Sequence, residues 1–271
     1  MKSLLLFLLI FSCTHRNQKG ELPIPESLED AANSSERSPE NTERDEYQHP
    51  LETLAFFGVK PDMSVVEISP GAGYYTEILA PYLAKSGQYY MAVPRMTPHP
   101  PAVVIENERK LQEILLRHSE VRAKSKLIPL EPTDKRNKLK SAFADVVLSF
   151  GHIHNWLAKD EATMSFKFCY DVLKPGGILG VVQHRIAESK KRVPKSGYLT
   201  EKEVITLAQK AGFRFVEKSE INANPRDTAD YPDGVWVLPP TYRLGEKDRY
   251  RYRKIGESDR MTLKFVKPPK K

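Results

Sequence analysis

The sequence predicts a doubly wound α/β fold with a mostly parallel, seven-stranded sheet, and two observations support this. An apolar strand, a glycine turn and an amphipathic helix follow one another between Val65 and Leu83. Short β-branched runs then alternate with helical periodicity along most of the chain. Such alternation produces strand–helix–strand units whose strands lie parallel. Because ligands bind outside the carboxyl ends of parallel strands, polar residues that follow a strand are the first candidates for a functional site.

The first unit contains a short glycine turn. Residues 64–68 form a β-branched run that indicates a buried strand, and residues 69–73 form the turn. Gly71 and Gly73 permit positive φ and let a ligand approach the backbone, and the next helix offers free N–H groups at its start. The apolar residues of that helix recur at a spacing that faces a sheet, and they are Tyr75, Ile78, Leu79 and Leu83. A tight turn without a ligand is the alternative interpretation.

Further patterns predict the remaining elements. Apolar runs predict strands at 88–93, 126–130, 144–150, 178–182 and 214–218, and a last, antiparallel strand at 260–266. Helical periodicity predicts helices at about 45–57, 104–118, 161–173 and 201–211, the last of them opened by a capping box at Thr200 and Glu203.

Residues 222–259 form a polar, aromatic insertion before the last strand. The sixth strand should end on the same edge of the sheet as strands one, four and five, so we expect the insertion to lie over the site as a lid. The candidates for substrate contact in and beside this lid are Asn222, Asn224, Asp227 and Arg260.

Histidines follow strands four and five. His152 and His154 come directly after strand four and His184 after strand five, so we expect all three beside Glu67 and Gly71. A histidine has a pKa suited to removing a proton near neutral pH, which makes the three imidazoles candidate catalytic groups. The spacing of His152 and His154 predicts an extended segment that projects both imidazoles. With His184 and an acid from the lid, such as Asp227 or Glu257, they could instead hold a divalent metal. They could also serve only as hydrogen-bonding residues at the rim.

Composition excludes several classes of protein. The 271-residue chain is 40% hydrophobic, which is enough for one core. Its net charge of +7 is spread out, with no aromatic-studded basic strip, so we expect a small-molecule substrate and no nucleic-acid partner. The two cysteines, Cys13 and Cys169, exclude a disulfide framework and a cysteine-rich metal site.

The N-terminus has the pattern of a secretory signal. Lys2 precedes an apolar run at 4–11 that is too short to span a bilayer comfortably, and Ser12 and Cys13 follow. The residues Ile-Phe-Ser-Cys at 10–13 resemble a bacterial lipoprotein box, which implies lipidation of Cys13. An uncleaved membrane anchor is the alternative. Residues 14–44 are polar and predict a disordered tether, so we expect an exported, cell-envelope lipoprotein whose folded domain spans 45–271.

The glycine turn resembles motif I of the class I S-adenosyl-L-methionine (SAM) methyltransferases, acid-x-Gly-x-Gly-x-Gly. Glu67, Gly71 and Gly73 match it, and Ser69 stands where the first glycine is usual. The resemblance implies a Rossmann-like class I methyltransferase fold with the glycine turn beneath SAM and the acid near its methionine end. Strand two ends without the acid that binds the ribose hydroxyls in most relatives of the fold.

Over 44–269 the chain resembles a bacterial family of predicted, exported SAM-dependent methyltransferases. Its marks include His-Asn-Trp at 154–156, the run 179–185, Ile-Asn-Ala-Asn-Pro at 221–225 and the run 255–261. The resemblance implies SAM-dependent methyl transfer to an acceptor that the sequence leaves open. The cofactor-binding residues implied are Glu67, Gly71, Gly73, Glu131, Asn155 and Trp156. Trp156 could stack on an adenine or pack in the core. The alternatives are an exported domain reused for metal-assisted hydrolysis or for non-catalytic binding of a small molecule.

Overall fold

The computed structural model describes residues 24–94, 98–130 and 141–269. The strands in these ranges are β1 (Ser64–Ile68), β2 (Gln88–Val93), β3 (Ser125–Pro129), β4 (Ala144–Phe150), β5 (Leu173–His184), β6 (Arg214–Ser219) and β7 (Arg260–Val266). They form one sheet in the order β3-β2-β1-β4-β5-β7-β6, in which β7 runs antiparallel to both of its neighbours. The predicted seven-stranded α/β fold is therefore confirmed.

Helices cover both faces of the sheet. They are α1 (Leu28–Ala32), α2 (Pro39–Thr42), α3 (Asp45–Gln48), α4 (Pro50–Phe57), α5 (Thr76–Leu83), α6 (Ala102–Leu116), α7 (Ser119–Lys124), α8 (Ile153–Ala158), α9 (Ala162–Val172), α10 (Glu201–Lys210) and α11 (Arg249–Ile255). One apolar cluster packs α8, α9 and α10 on one face, and a second packs α1, α4, α5, α6 and α7 on the other. None of the helices in the described ranges is both long and apolar enough to cross a membrane.

The turn between β1 and α5 lies at the carboxyl edge of the sheet and uses left-handed backbone. Gly71 and Gly73 have φ of +60° and +93°, as glycine permits without strain. Ser69 adopts φ of +50°, which costs a non-glycine residue about 1 kcal/mol. Its N–H donates to the Ala92 carbonyl at 2.8 Å, so the turn is fixed to the end of β2.

The segment before residue 45 differs from the predicted tether. Ala31 is fully buried in α1, and the buried Arg37 guanidinium bonds both carboxylate oxygens of Asp45 at 2.6 and 2.8 Å. The Glu77 carboxylate in α5 accepts hydrogen bonds from the Ser38 N–H at 3.1 Å and the Asn41 amide at 2.9 Å. Residues 28–44 therefore belong to the folded domain, because ion pairs and small buried alanines hold a segment that has few large apolar residues. Residues 14–23 lie outside the described ranges.

The helix predicted at 45–57 is divided at His49. This residue has φ of +40°, and Pro50 begins α4 directly after it. A proline disfavours helical backbone in the preceding residue, which explains why α3 stops there. Gly58 ends α4 with φ of +76°, as expected of a glycine cap, and the predicted capping box at Thr200 and Glu203 is present in α10.

The predicted lid lies over the carboxyl edge of the sheet. It contains a short 3-10 helix, Gly234–Val237, and α11, joined by irregular backbone. Tyr231, Val237, Leu238 and Tyr252 form a small apolar cluster of its own. Its two ends are continuous with β6 and β7, so the lid is held at both sides of the sheet edge.

We expect Glu77→Ala to release the N-terminal segment. The change removes a buried acceptor shared by Ser38, Asn41 and Arg117, so the free energy of unfolding should fall by about 2–3 kcal/mol and cleavage within residues 28–44 should accelerate. Urea unfolding and limited proteolysis measure the two effects. Glu43→Ala, an exposed carboxylate of the same segment, is the matched control. Equal behaviour of the two variants would contradict this account of the segment.

Candidate functional site

Two adjoining cavities form a cleft over the glycine turn. The lid cavity encloses about 280 Å³ beneath the lid, and the α6 cavity encloses about 440 Å³ beside α6. Both are lined by Ser69, Pro70, Gly71 and His152, so the two cavities adjoin at the carboxyl ends of β1, β2 and β4. This is where an open parallel sheet binds its ligands.

A buried carboxylate joins three charged or polar partners on the wall of the lid cavity. Glu257 accepts hydrogen bonds from Arg44 Nε at 2.6 Å, from Arg260 at 2.9 Å and from the Gln48 amide. Burial would raise the pKa of Glu257, but the charges of Arg260 and Arg44 outweigh it and hold the pKa below its usual range. Two guanidinium groups against one carboxylate leave this wall with a net positive charge.

Glu67 at the end of β1 also lines the lid cavity. The Tyr89 hydroxyl donates to its carboxylate, and Thr76 Oγ1 lies 3.3 Å from the same oxygen. Burial raises the pKa of Glu67 to about 7, and these hydroxyl groups only partly oppose the shift. A cation that binds beside Glu67 would therefore favour the ionised carboxylate.

The histidines at the cleft are neutral at physiological pH. Burial, and then the neighbouring His154, lower the pKa of His152 to about 4, while a hydrogen bond with the Ser69 backbone acts in the opposite direction. Burial, and then His154 and Arg260, hold the pKa of His184 well below its usual value. His152 and His184 line the lid cavity, and His184 Nδ1 lies 2.6 Å from Ser258 Oγ. Each can hydrogen-bond a ligand as a neutral imidazole.

His154 lies outside the cleft, and the predicted extended segment is wrong. His152 is the N-cap residue of α8, and His154 lies in its first turn. His154 Nδ1 is 3.1 Å from the Gln183 amide nitrogen, and its ring centroid is 5.5 Å from that of His184. Within residues 24–94, 98–130 and 141–269, no group of three or more histidine, cysteine or acidic side chains could hold a metal ion. The three imidazoles therefore do not form a metal centre.

The structure places only some of the residues expected at the cofactor beside the cleft. Glu67 and Gly71 line the cleft. Gly73 does not line the cleft. A Cβ at this position would collide with the Ile114 side chain, so this glycine permits close packing of α6. Trp156 packs edge-on against Phe166 in the core, with ring centroids 5.4 Å apart. Asn155 lines a different cavity, and Glu131 lies outside the described residues, as does Cys13.

Most of the expected substrate residues hold the lid instead. The Asn222 amide donates to Thr53 and Thr262 at 2.9 Å each, and the Asn224 amide donates to the backbone carbonyls of residues 255 and 257. The Asp227 carboxylate accepts from the Tyr198 hydroxyl at 2.9 Å and from backbone N–H groups at 259 and 229. Buried polar groups need such partners, and these bonds satisfy the amide nitrogens of Asn222 and Asn224 and the Asp227 carboxylate. Of this group only Arg260 lines the cleft.

Several residues that line the cleft were not expected there from the sequence. Arg44 and Asn41 line the lid cavity from the segment that was predicted to be a tether. The face of α6 in the α6 cavity has Asn107, Glu108 and Gln112 as its polar members. The recurrence of Glu108, Leu111, Gln112 and Leu115 at helical spacing was a usable signal for that face. Arg44 had no such signal, because its partner Glu257 is 213 residues away.

Comparison with known proteins identifies the fold. No family model matches the chain, and no curated protein matches it either. A solved SAM-dependent methyltransferase from Aquifex aeolicus is similar over 85% of this chain and 94% of its own, with a TM-score of 0.55 and 17% identity. The fold is that of the Rossmann-like methyltransferases.

Two further solved structures show how widely this fold is used. The [4+2]-cyclase SpnF is similar over 82% of this chain and 81% of its own, with a TM-score of 0.53 and 14% identity. The glycopeptide N-methyltransferase MtfA, solved in complex with sinefungin, is similar over 82% and 94%, with a TM-score of 0.50 and 13% identity. A cyclase and a methyltransferase share the fold, so the reaction must be argued from the site.

We expect Glu67→Gln to change how stability depends on pH. The pKa of Glu67 is raised in the folded protein, from 4.5 to about 7, so its contribution to stability is fully present below pH 4.5 and is lost as pH rises through 7. Relative to the variant, the wild type should lose roughly 3 kcal/mol of unfolding free energy between pH 4.5 and pH 8.

Urea unfolding of both proteins across this range measures the difference. The histidines, whose lowered pKa values have the opposite effect below pH 6.5, are common to both proteins and cancel. A difference that stays constant from pH 4.5 to pH 8 would show that the pKa of Glu67 is not raised in the folded protein.

Proposed function

We propose that this protein is a SAM-dependent methyltransferase that acts on a small molecule. The observation that supports this most directly is the pair of adjoining cavities over the glycine turn, apolar beside α6 and charged beneath the lid. Nothing lies within 4 Å of the position that a Cβ would take at Gly71, so the turn leaves open space toward the cleft. A ligand with an apolar aromatic end and a zwitterionic end matches these two halves.

The α6 cavity suits the nucleoside part of SAM. Its walls are mainly apolar, and they include Met91, Val93, Leu111, Leu115 and Leu127. β2 ends at Val93 and Pro94, which provide no carboxylate for the ribose hydroxyls. Asn107, Glu108 and Gln112 are the polar side chains of α6 that line this cavity, and we propose that they replace the missing acid.

The lid cavity suits the amino-acid part of SAM. A carboxylate would be attracted by Arg44, which has about a quarter of its side chain exposed and belongs to the positive wall with Arg260. An ammonium group beside Glu67 would favour the ionised form of that buried carboxyl. The two ends of a zwitterion would thus find complementary partners in one cavity.

The chain itself contributes position, exclusion of water and proton transfer. When bound, SAM supplies an electrophilic methyl group, and the transfer depends mainly on the alignment of the acceptor. The lid residues Trp236, Pro239 and Pro240 close the cavity from above and would exclude water. His184 or His152, both neutral in the cavity, could accept the proton that an oxygen or nitrogen acceptor must lose.

We expect Gly71→Arg to abolish SAM binding by the full-length protein. Arginine at 71 would project into the cleft without meeting the core, because the space at its Cβ is open. Gly176→Arg is the matched control: it has φ of +82° and open space at its Cβ, but it lies at the amino end of β5, away from the cleft. Calorimetry with SAM should give saturable binding to the wild type and the control but not to the Gly71 variant.

The outcomes of this measurement separate the candidate functions. No binding by the wild type at millimolar SAM would overturn the proposal. Binding that Gly71→Arg leaves unchanged would place SAM elsewhere. Tight binding with no methyl transfer to any acceptor tested would favour a non-catalytic binding domain.

We also propose that the protein is exported and anchored to a membrane through lipid on Cys13, on the strength of the N-terminal sequence pattern. In bacteria grown with an alkyne-tagged fatty acid, we expect the protein to be labelled and to sediment with membranes, and Cys13→Ser to lose both properties. Cys169→Ser is the matched control, because this second cysteine is buried in the core. Labelling that survives Cys13→Ser would contradict the anchor.

A further inference from the structure

A third cavity lies behind the lid, outside the cleft. It encloses about 490 Å³ between the start of α8, the loop at 192–198 and the lid, and we call it the loop cavity. Trp236 lines both the loop cavity and the lid cavity, so its indole forms the wall between them. The proposed SAM site does not use this space.

The loop cavity is basic. Arg192, Lys195 and Arg243 line it, and none of the residues that the structure places around it is acidic. Glu203 pairs with Arg192 at 3.0 Å without being part of the lining, which leaves Lys195 and Arg243 as the stronger positive charges toward a ligand. Cationic side chains around a concave surface favour a carboxylate or a phosphate.

A buried hydrogen-bond donor on the same wall has no partner. The Gln183 side-chain oxygen accepts from the Ile153 N–H, and its amide nitrogen donates to the Gly197 carbonyl at 3.0 Å, so the orientation of this amide is fixed by the backbone. The second amide proton is then directed to His154 Nδ1 at 3.1 Å. His154 must accept there and bear its own proton on Nε2.

His154 Nε2 is buried and has no hydrogen-bond partner among the described residues. A buried N–H group without a partner is costly, and native proteins rarely leave one unsatisfied. His154 lines the loop cavity, so this unpaired donor lies within the wall of the cavity.

The wall formed by Trp236 is held in place from two sides. Its indole N–H donates to the Lys195 carbonyl at 3.2 Å, and the Arg243 guanidinium lies over its ring, 5.2 Å from the centroid. Gly197 allows the loop to approach this wall closely, because a Cβ there would lie 2.5 Å from the Val235 side chain. A flat apolar surface beside cationic groups suits a planar ligand with a negative charge.

We propose that the loop cavity is a binding site for a small planar anion, a carboxylate or a phosphate ester. The ring centroid of His154 lies 5.2 Å from Trp236 and 5.5 Å from His184, so the anion would be held one side chain away from the lid cavity. The choice of an anion rests on the loop cavity alone.

The indole N–H signals of the full chain provide the test, because the protein has only two tryptophans and Trp236→Phe assigns both signals. We expect the Trp236 signal to shift saturably on titration with benzoate or phenyl phosphate, and not with neutral benzamide at equal ionic strength. The Trp156 signal, which comes from the core, should stay in place. The tighter of the two anions distinguishes a carboxylate ligand from a phosphate ligand.

Charge variants locate the site. We expect Lys195→Gln with Arg243→Gln to weaken anion binding about tenfold. Lys191→Gln with Lys247→Gln removes the same charge from exposed residues that do not line the cavity, and it should leave binding unchanged. No saturable shift, an equal shift with benzamide, or equal weakening by both double variants would overturn the proposal.

Calorimetry with SAM on the same variants separates this inference from the proposed function. SAM binding that is unchanged in both double variants, together with selective loss of anion binding in one, supports two distinct sites. Anion binding by a protein that never binds SAM would overturn the proposed function and support the anion site.

Discussion

The lid cavity at the carboxyl edge of the sheet depends on one buried carboxylate. Glu257 lies at the end of the lid, and it joins Arg44 of the N-terminal segment, Gln48 of α3 and Arg260 at the start of β7. Two parts of the chain that are distant in sequence, residues 44–48 and 257–260, thus meet at the wall of the lid cavity. Burying an ion pair costs desolvation that hydrophobic packing would avoid, so the network is better explained by what it positions than by added stability. It places two guanidinium groups beside the cleft with only one countercharge.

Desolvation sets the chemistry of the groups around that network. Burial keeps His152 and His184 neutral and raises the pKa of Glu67 toward neutrality. The lid cavity therefore contains neutral imidazoles, a carboxyl group whose pKa lies near neutral pH, and a wall with a fixed positive charge. A zwitterionic ligand would compensate both charged features at once, whereas an uncharged ligand would compensate neither.

The order of the elements was predictable because it depends on local patterns. The strand before the glycine turn and the capping box at Thr200 each need only a few neighbouring residues, and both appear where the sequence placed them. The tether was mispredicted from the same local rules, because a segment poor in large apolar residues can still fold when Asp45 and Glu77 supply it with partners. Composition indicates how much apolar surface a segment can bury by itself. It does not indicate which hydrogen-bond and ion-pair partners another segment provides.

The sequence by itself determined the α/β fold, the glycine turn with Glu67 and Gly71, and the position of the lid, since periodicity and turn chemistry are properties of adjacent residues. Only the tertiary structure decided which polar residues are available to a ligand. Asn222, Asn224 and Asp227 are polar residues of the lid, as expected, but their side chains bond other parts of the protein: Asn222 donates to Thr53 of α4, Asn224 donates to the carbonyl of residue 257, and Asp227 accepts from the N–H of residue 259. Arg44 reaches the cleft through a partner 213 positions away, and the proton of His154 is fixed by an amide that the backbone orients. Hydrogen-bond satisfaction and burial are properties of the folded surroundings, which no local pattern in the chain encodes.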